Sequence, residues 1–225
     1  MSILQAYDFY LPFSEAKKHQ LDCVFSALSA NLDFKELEVI ETGASHNLSD
    51  GCFGLFFAKL AILSGGTFQS VDIDPEISEK SKKMFSEILG DEKISHHTGD
   101  SISFLRDYEG SPNLVHLDSW DLNLKNPVQS MLHGWLEFEA IKDKMPSGSI
   151  CIIDDNFIKG TWVNWNQLDS EGQIVDTEII DITYDILGKG ALIYHWALKP
   201  ETDWDLIGDH HQIVGENIKV IVKKR

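Results

Sequence analysis

The sequence predicts an α/β protein: a doubly wound, mostly parallel seven-stranded sheet closed by a C-terminal antiparallel hairpin. Three observations carry this. Strand-like and helix-like segments alternate from residue 38 to residue 153, the pattern of βα units laid into a parallel sheet with helices on both faces. Two late apolar runs, residues 191–198 and 217–222, have no clear helix between them and read as strands near a sheet edge. Hydrophobic residues make up 43% and charged residues 24% of the 225, the composition of a chain that builds a core.

Taken in order, residues 14–32 place Leu21, Val24, Phe25 and Leu28 at helical spacing, with Ser14 at the N-cap position and Glu15 in the first turn. Glu38-Val-Ile-Glu-Thr-Gly is a short apolar run stopped by Gly43, a first strand. The polar loop 45–51 leads to a helix with Phe53, Phe56, Phe57 and Leu60, closed by Gly65-Gly66. Residues 67–73 form a second strand, and Pro75 opens a helix reaching Leu89. A weaker third strand, 93–98, precedes a short helix around Ile102, Phe104 and Leu105.

Residues 113–117 are a fourth strand. Asn126 and Pro127 then start a helix with Val128, Met131, Leu132, Trp135 and Phe138 on one face, and residues 150–153 make a fifth strand. The stretch 162–178 has no clear period, 179–187 reads as helical, and Gly188-Lys189-Gly190 punctuates the chain. The expected organisation is a single domain over 1–225, with 1–35 as a helical extension packed on it.

The charge is strongly acidic: Lys+Arg number 19 against 36 Asp+Glu, a net charge of −17. Nucleic-acid binders gain affinity by neutralising phosphates, so DNA and RNA are not expected as partners. No run approaches the ~20 apolar residues of a membrane span, and the first residues lack a secretory signal pattern. Cys23, Cys52 and Cys151 are scattered, without a CxxC pair, and read as reduced thiols. A cytoplasmic protein is the expectation.

In a doubly wound sheet, ligands bind outside the carboxyl ends of the strands. Gly43 follows strand one, but Ser45 and Leu48 stand where a dinucleotide fingerprint needs glycines. After strand two, Asp74 suits the cap of the Pro75 helix, whereas Asp72 suits a ribose; Asp72-x-Asp74 also resembles the metal-binding acids of nucleotide-sugar glycosyltransferases. Asp100 either reads an adenine amine or caps the helix that begins at Ser101. At the fourth and fifth strand ends, Asp118, Asp155 and Asn156 offer three oxygen ligands for a hard cation such as Mg²⁺.

Glu41-x-Gly43-Ala44, Asp72-Ile73-Asp74-Pro75, Gly99-Asp100-Ser101, Asp118-Ser119-Trp120 and Asp155-Asn156 together resemble class I S-adenosylmethionine-dependent methyltransferases. More narrowly, they are similar to metal-dependent O-methyltransferases of the catechol O-methyltransferase type and to related bacterial sugar O-methyltransferases. The resemblance spans residues 36–160 and implies a Rossmann-like methyltransferase fold. It implies that Glu41, Gly43, Ala44 and Ser45 approach the methionine end of the cofactor. Asp72 and Ile73 would lie at its ribose, and Asp100, Ser101 and Trp120 near its adenine. It also implies Mg²⁺ or Mn²⁺ on Asp118, Asp155 and Asn156, and a small-molecule or sugar acceptor. The loop 45–51 is longer than in the catechol enzymes, and Asp121 stands where they place a catalytic lysine. His46, Asp118 and Asp121 are therefore the candidate catalytic residues. A metal-independent methyltransferase and a non-catalytic adenosine-ligand or partner-binding domain are the alternative readings. The edge of the closing hairpin offers a place for a homodimer to pair.

Overall fold

A computed structural model describes residues 15–46, 52–90, 93–168, 173–207 and 217–225. Ser14, most of the 45–51 loop and the Asp-rich loop before residue 217 lie outside this set. The described elements are α1 (Glu15–Asn31), β1 (Glu38–Thr42), α2 (Cys52–Ser64), β2 (Thr67–Asp72), α3 (Pro75–Leu89), β3 (Ile94–Thr98), α4 (Ser101–Asp107) and β4 (Leu114–Leu117). They continue with α5 (Val128–Ile141), β5 (Ile150–Ile158), β6 (Trp162–Leu168), β7 (Ile174–Asp181), β8 (Ile186–Gly188), α6 (Ala191–Ala197), β9 (Trp204–Leu206) and β10 (Ile218–Lys224).

The main sheet runs β3-β2-β1-β4-β5-β10-β9. The first five strands are parallel, and β10 is antiparallel to both β5 and β9. The mostly parallel sheet with a late antiparallel strand is therefore present. An eighth short strand, β8, pairs antiparallel with the extended end of β5.

The two-residue period of each strand divides the core into two layers. Val39, Leu114, Ile150, Ile152 and Ile221 face α1 and α2, where Leu21, Val24, Leu28, Phe56 and Phe57 are fully or almost fully buried. Their neighbours Ile40, Val115, Cys151, Ile153, Val220 and Val222 face the other way, against Phe138, Ile141 and Trp204. Each such large side chain contributes ~1.5–3 kcal/mol by leaving water. Asp74 caps α3 as expected, accepting from the Glu76 amide at 2.8 Å, with Pro75 following.

Three stretches differ from the sequence reading. Residues 179–187 are the end of β7, a turn and β8, not a helix, and β6 and β7 form a separate antiparallel ribbon. Residues 191–198 are not a strand but carry α6, so the sheet edge is the three-residue β9, a short template for pairing with a second copy. The buried stripe of α5 is Ser130, Gly134, Glu137, Phe138 and Ile141, while Val128 and Leu132 are exposed.

Candidate active site

The carboxyl ends of the parallel strands open into a cleft of about 830 Å³. Gly43, with φ +79°, turns the chain out of β1; a Cβ there would lie 2.4 Å from the Asp118 carbonyl oxygen, so only glycine lets the β1 and β4 ends close on each other. Ala44, Ser45 and His46 then line the wall. His46 is half-buried, its Nδ1 3.3 Å from the Ala44 carbonyl. Glu41 is wholly buried beneath this wall, not facing the cleft as expected, and accepts from Ser45 and Ser70 hydroxyls at 3.2 and 3.3 Å.

Asp72 has local work that its sequence position did not reveal. Its Oδ2 accepts from the Ala44 amide at 2.9 Å and its Oδ1 from the Asp74 amide at 2.8 Å. The carboxylate thus ties the β1 and β2 loops together, with lone pairs left toward the cleft. Beside it Ile73 is 75% exposed, and Trp120, in the left-handed region at φ +63°, is 54% exposed. The Trp120 ring stacks on His133 with centroids 5.1 Å apart. Asp100 caps α4 through the Ser103 amide at 2.8 Å, the Ser103 hydroxyl and then that amide lower its pKa, and it still lines the cleft with Ser101. Ser119 donates to buried Glu137 at 2.6 Å and meets His133 Nε2 at 2.8 Å. Asp121 stands exposed at the rim.

Below the cleft lies a row of charge, of which the strand-end search missed His116 and Lys219. Glu41 and His116 are register partners on β1 and β4 and share the α1/α2 face of the sheet with Asp154 of β5 and Lys219 of β10. His116 Nδ1 lies 3.4 Å from Glu41 Oε1, and its Nε2 lies 3.8 Å from Asp154 Oδ2, an ion-pair rather than a hydrogen-bond distance. Burial alone would lower the His116 pKa, but Asp154 and Glu41 raise it to about 9, so the ring is an imidazolium at neutral pH. Lys219 pairs with Asp154 and rests 4.4 Å over the Phe53 ring. Against the cost of burial, Lys219 and His116 hold the Asp154 carboxyl well below the usual range. The sequence signals were a histidine within Leu-Val-His-Leu and a lysine within Ile-Lys-Val-Ile, both interrupting apolar strands.

The expected divalent-cation site does not fit these side chains. The Lys189 ammonium lies between the two carboxylates, 2.9 Å from Asp118 Oδ1 and 2.9 Å from Asp155 Oδ2. Asn156 is fully buried and turned into backbone: its Nδ2 donates to the Ile153 and Asp154 carbonyls at 2.9 Å, and its Oδ1 accepts from the Gly190 amide at 2.7 Å. Two of the three expected ligands thus meet the ammonium, and the third is turned into backbone. His116, Asp118 and Asp154 bring ligand-type atoms within 4.8 Å of one another, but His116 would have to give up its proton to ligate and Asp154 is held by Lys219. Burial and Asp154 push the Asp118 carboxyl up to about 7, against the pull of Lys189 and His116.

The strand ends thus hold an acid-floored cleft, the place where a doubly wound sheet binds its ligand. No protein-family model matches the chain, and no curated sequence matches it. Solved structures do. An S-adenosylmethionine-dependent methyltransferase from Clostridium acetobutylicum is 13% identical with a TM-score of 0.53, over 94% of this chain and 92% of that one. A candidate methyltransferase from Streptococcus mutans, solved in complex with SAH, is 10% identical with a TM-score of 0.56, over 92% and 98%. An rRNA methylase from Streptococcus thermophilus is 11% identical with a TM-score of 0.52, over 95% and 99%. The chain has the Rossmann-like fold of these proteins.

Proposed function

We propose that the chain is an S-adenosylmethionine-dependent methyltransferase that methylates an oxygen of a small molecule or sugar without a divalent cation. The observation that carries this reading is the convergence of Asp72, Ile73, Trp120 and the acids of β4 and β5 in one cleft. S-adenosylmethionine, when bound, supplies a methyl group on a positively charged sulfonium. The remaining lone pairs of Asp72 suit ribose hydroxyls, and the exposed faces of Ile73 and Trp120 suit a flat base between two apolar surfaces. Ala44, Ser45 and Ser101 complete the cofactor wall, with Asp100 at its edge. Glu41 acts from beneath, by holding Ser45 and His116.

The acids complement a cation. Glu41, His116, Asp154 and Lys219 form one run of ion pairs and Asp118, Lys189 and Asp155 another, and the two approach where His116, Asp118 and Asp154 bring atoms within 4.8 Å of one another. With Asp118 ionised, the four carboxylates exceed the three cations by one charge, which favours a sulfonium over its neutral product. The protein's part is to fix the acceptor oxygen in line with the methyl carbon and to take its proton. Asp118, His46 and Asp121 are the groups for that proton, and Asp118 is favoured because it sits with the cleft acids and titrates near neutrality. The net charge of −17 opposes a polyphosphate acceptor, which supports a small molecule over RNA.

Transfer of tritium from methyl-labelled S-adenosylmethionine to a panel of catechols, sugars and hydroxy acids tests the reading. Label should enter a small molecule, survive EDTA and stay out of RNA. Transfer that needs Mg²⁺, or that proceeds only into RNA, overturns it.

A further inference from the structure

The turn Gly188-Lys189-Gly190 reads in the sequence as punctuation, yet it delivers a 3%-exposed ammonium to the cleft floor. The backbone around it is built for this position. Gly188 has φ +140°, and a Cβ there would lie 2.0 Å from the Asp155 carbonyl oxygen. A Cβ on Gly134 of α5 would lie 2.5 Å from the Lys189 carbonyl oxygen, so that helix too must present glycine. The Lys189 amide donates to the Asp155 carbonyl at 3.2 Å, and the Gly190 amide to Asn156 Oδ1 at 2.7 Å. The turn is therefore fastened to the same strand end whose carboxylate the ammonium meets.

We infer that Lys189 is a built-in cation that takes the place of a divalent metal: it bridges Asp118 and Asp155 and holds both carboxylates in the cleft floor. The inference deepens the methyltransferase reading and rests on it for the meaning of the cleft, although its test does not use the cofactor. The ammonium has three N–H groups, and the structure gives it three acceptors: Asp118 Oδ1 at 2.9 Å, the Asp118 carbonyl at 3.2 Å and Asp155 Oδ2 at 2.9 Å. No donor remains for an acceptor molecule, so Lys189 is a positioning residue and not a proton donor. Burial alone would drive it toward neutrality, but Asp118, Asp155 and Asp154 hold it protonated, well above the ordinary lysine value. Asn217 Nδ2 steadies the other Asp155 oxygen at 2.7 Å. The two carboxylates that would otherwise repel across the floor are thereby kept together, as a metal would keep them.

Titration of the full chain with Mn²⁺ alone, followed by electron paramagnetic resonance and calorimetry, tests this. The wild type should show no saturable site at millimolar Mn²⁺. Lys189→Ala removes the ammonium and leaves two carboxylates facing one gap, so it should bind Mn²⁺ at least ~10-fold more tightly than the wild type, and Lys189→Ala with Asp155→Asn should lose that gain. A residue that only packed the fold would change the melting temperature without creating a Mn²⁺ site. Saturable Mn²⁺ binding by the wild type, abolished by Asp155→Asn, overturns the inference, as does a folded Lys189→Ala that gains no affinity. If Lys189→Ala does not fold, the wild-type titration with its Asp155→Asn control decides between the two outcomes alone. Failure to bind S-adenosylhomocysteine would remove the methyltransferase reading and leave these Mn²⁺ results standing.

Discussion

The buried imidazolium of His116 makes stability fall on the alkaline side, and the size of the fall follows from its surroundings. An ordinary histidine titrates near 6.5 in the unfolded chain, whereas Asp154 and Glu41 raise His116 to about 9 in the fold. That difference corresponds to ~3 kcal/mol at about 1.4 kcal/mol per pKa unit. Because the folded pKa is the higher one, the contribution is fully present below about pH 6.5 and is lost as pH rises through about 9. Asp118, raised to about 7 by burial and Asp154, weakens stability as pH climbs toward 7; above that point its penalty is complete and adds little further slope. Burial also raises the Cys151 thiol, which adds a similar slope at higher pH, but a His116 variant retains it. Urea unfolding of the wild type and His116→Gln at intervals from pH 7 to 9.5 isolates the imidazolium. The variant should be less stable throughout, with Glu41 and Asp154 deprived of their partner, and its curve should be flatter by roughly 2–3 kcal/mol over that range. Parallel curves would refute the charged state of His116.

Two other perturbations read the cleft wall. Asp72→Ala should weaken S-adenosylhomocysteine binding by ~2–4 kcal/mol in calorimetry, and should also lower the melting temperature because the Ala44 and Asp74 amides lose their acceptors. Gly54→Ala should destabilise by ~1–3 kcal/mol in urea, since its Cβ would fall 2.5 Å from both Glu41 carboxylate oxygens and 2.6 Å from Ser45 Oγ.

Most of the first five strands and the helices between them are legible where a clear period meets a clear stop: Gly43 after β1, Pro75 opening α3, Gly65-Gly66 after α2; β5 instead runs past the expected 150–153 to Ile158, so Asp155 and Asn156 lie within the strand. After residue 158 those signals conflict. Ala191-Leu-Ile-Tyr-His-Trp-Ala is apolar almost throughout and only seven residues long, so neither period shows, and packing against α5 and the sheet makes it helix α6. Ile179-Ile-Asp is equally ambiguous, and its pairing with β6 settles it as strand. The site follows the same division. Asp72, Asp118 and Trp120 stand at strand ends where topology directs attention. His116 and Lys219 show only as polar interruptions within apolar strands, and Lys189 lies in a turn between two misread segments, so nothing local announces what they meet. The metal expectation has the same origin: three oxygens are visible in the sequence, but the ammonium that meets two of them is not.

The most direct measurement is calorimetric titration of the wild-type chain with S-adenosylhomocysteine in EDTA. A saturable site, one per chain, with affinity unchanged when Mg²⁺ replaces EDTA and no competition from NAD or nucleotide sugars, is the predicted result. No binding, binding only with Mg²⁺ present, or displacement by a nucleotide sugar would contradict the account.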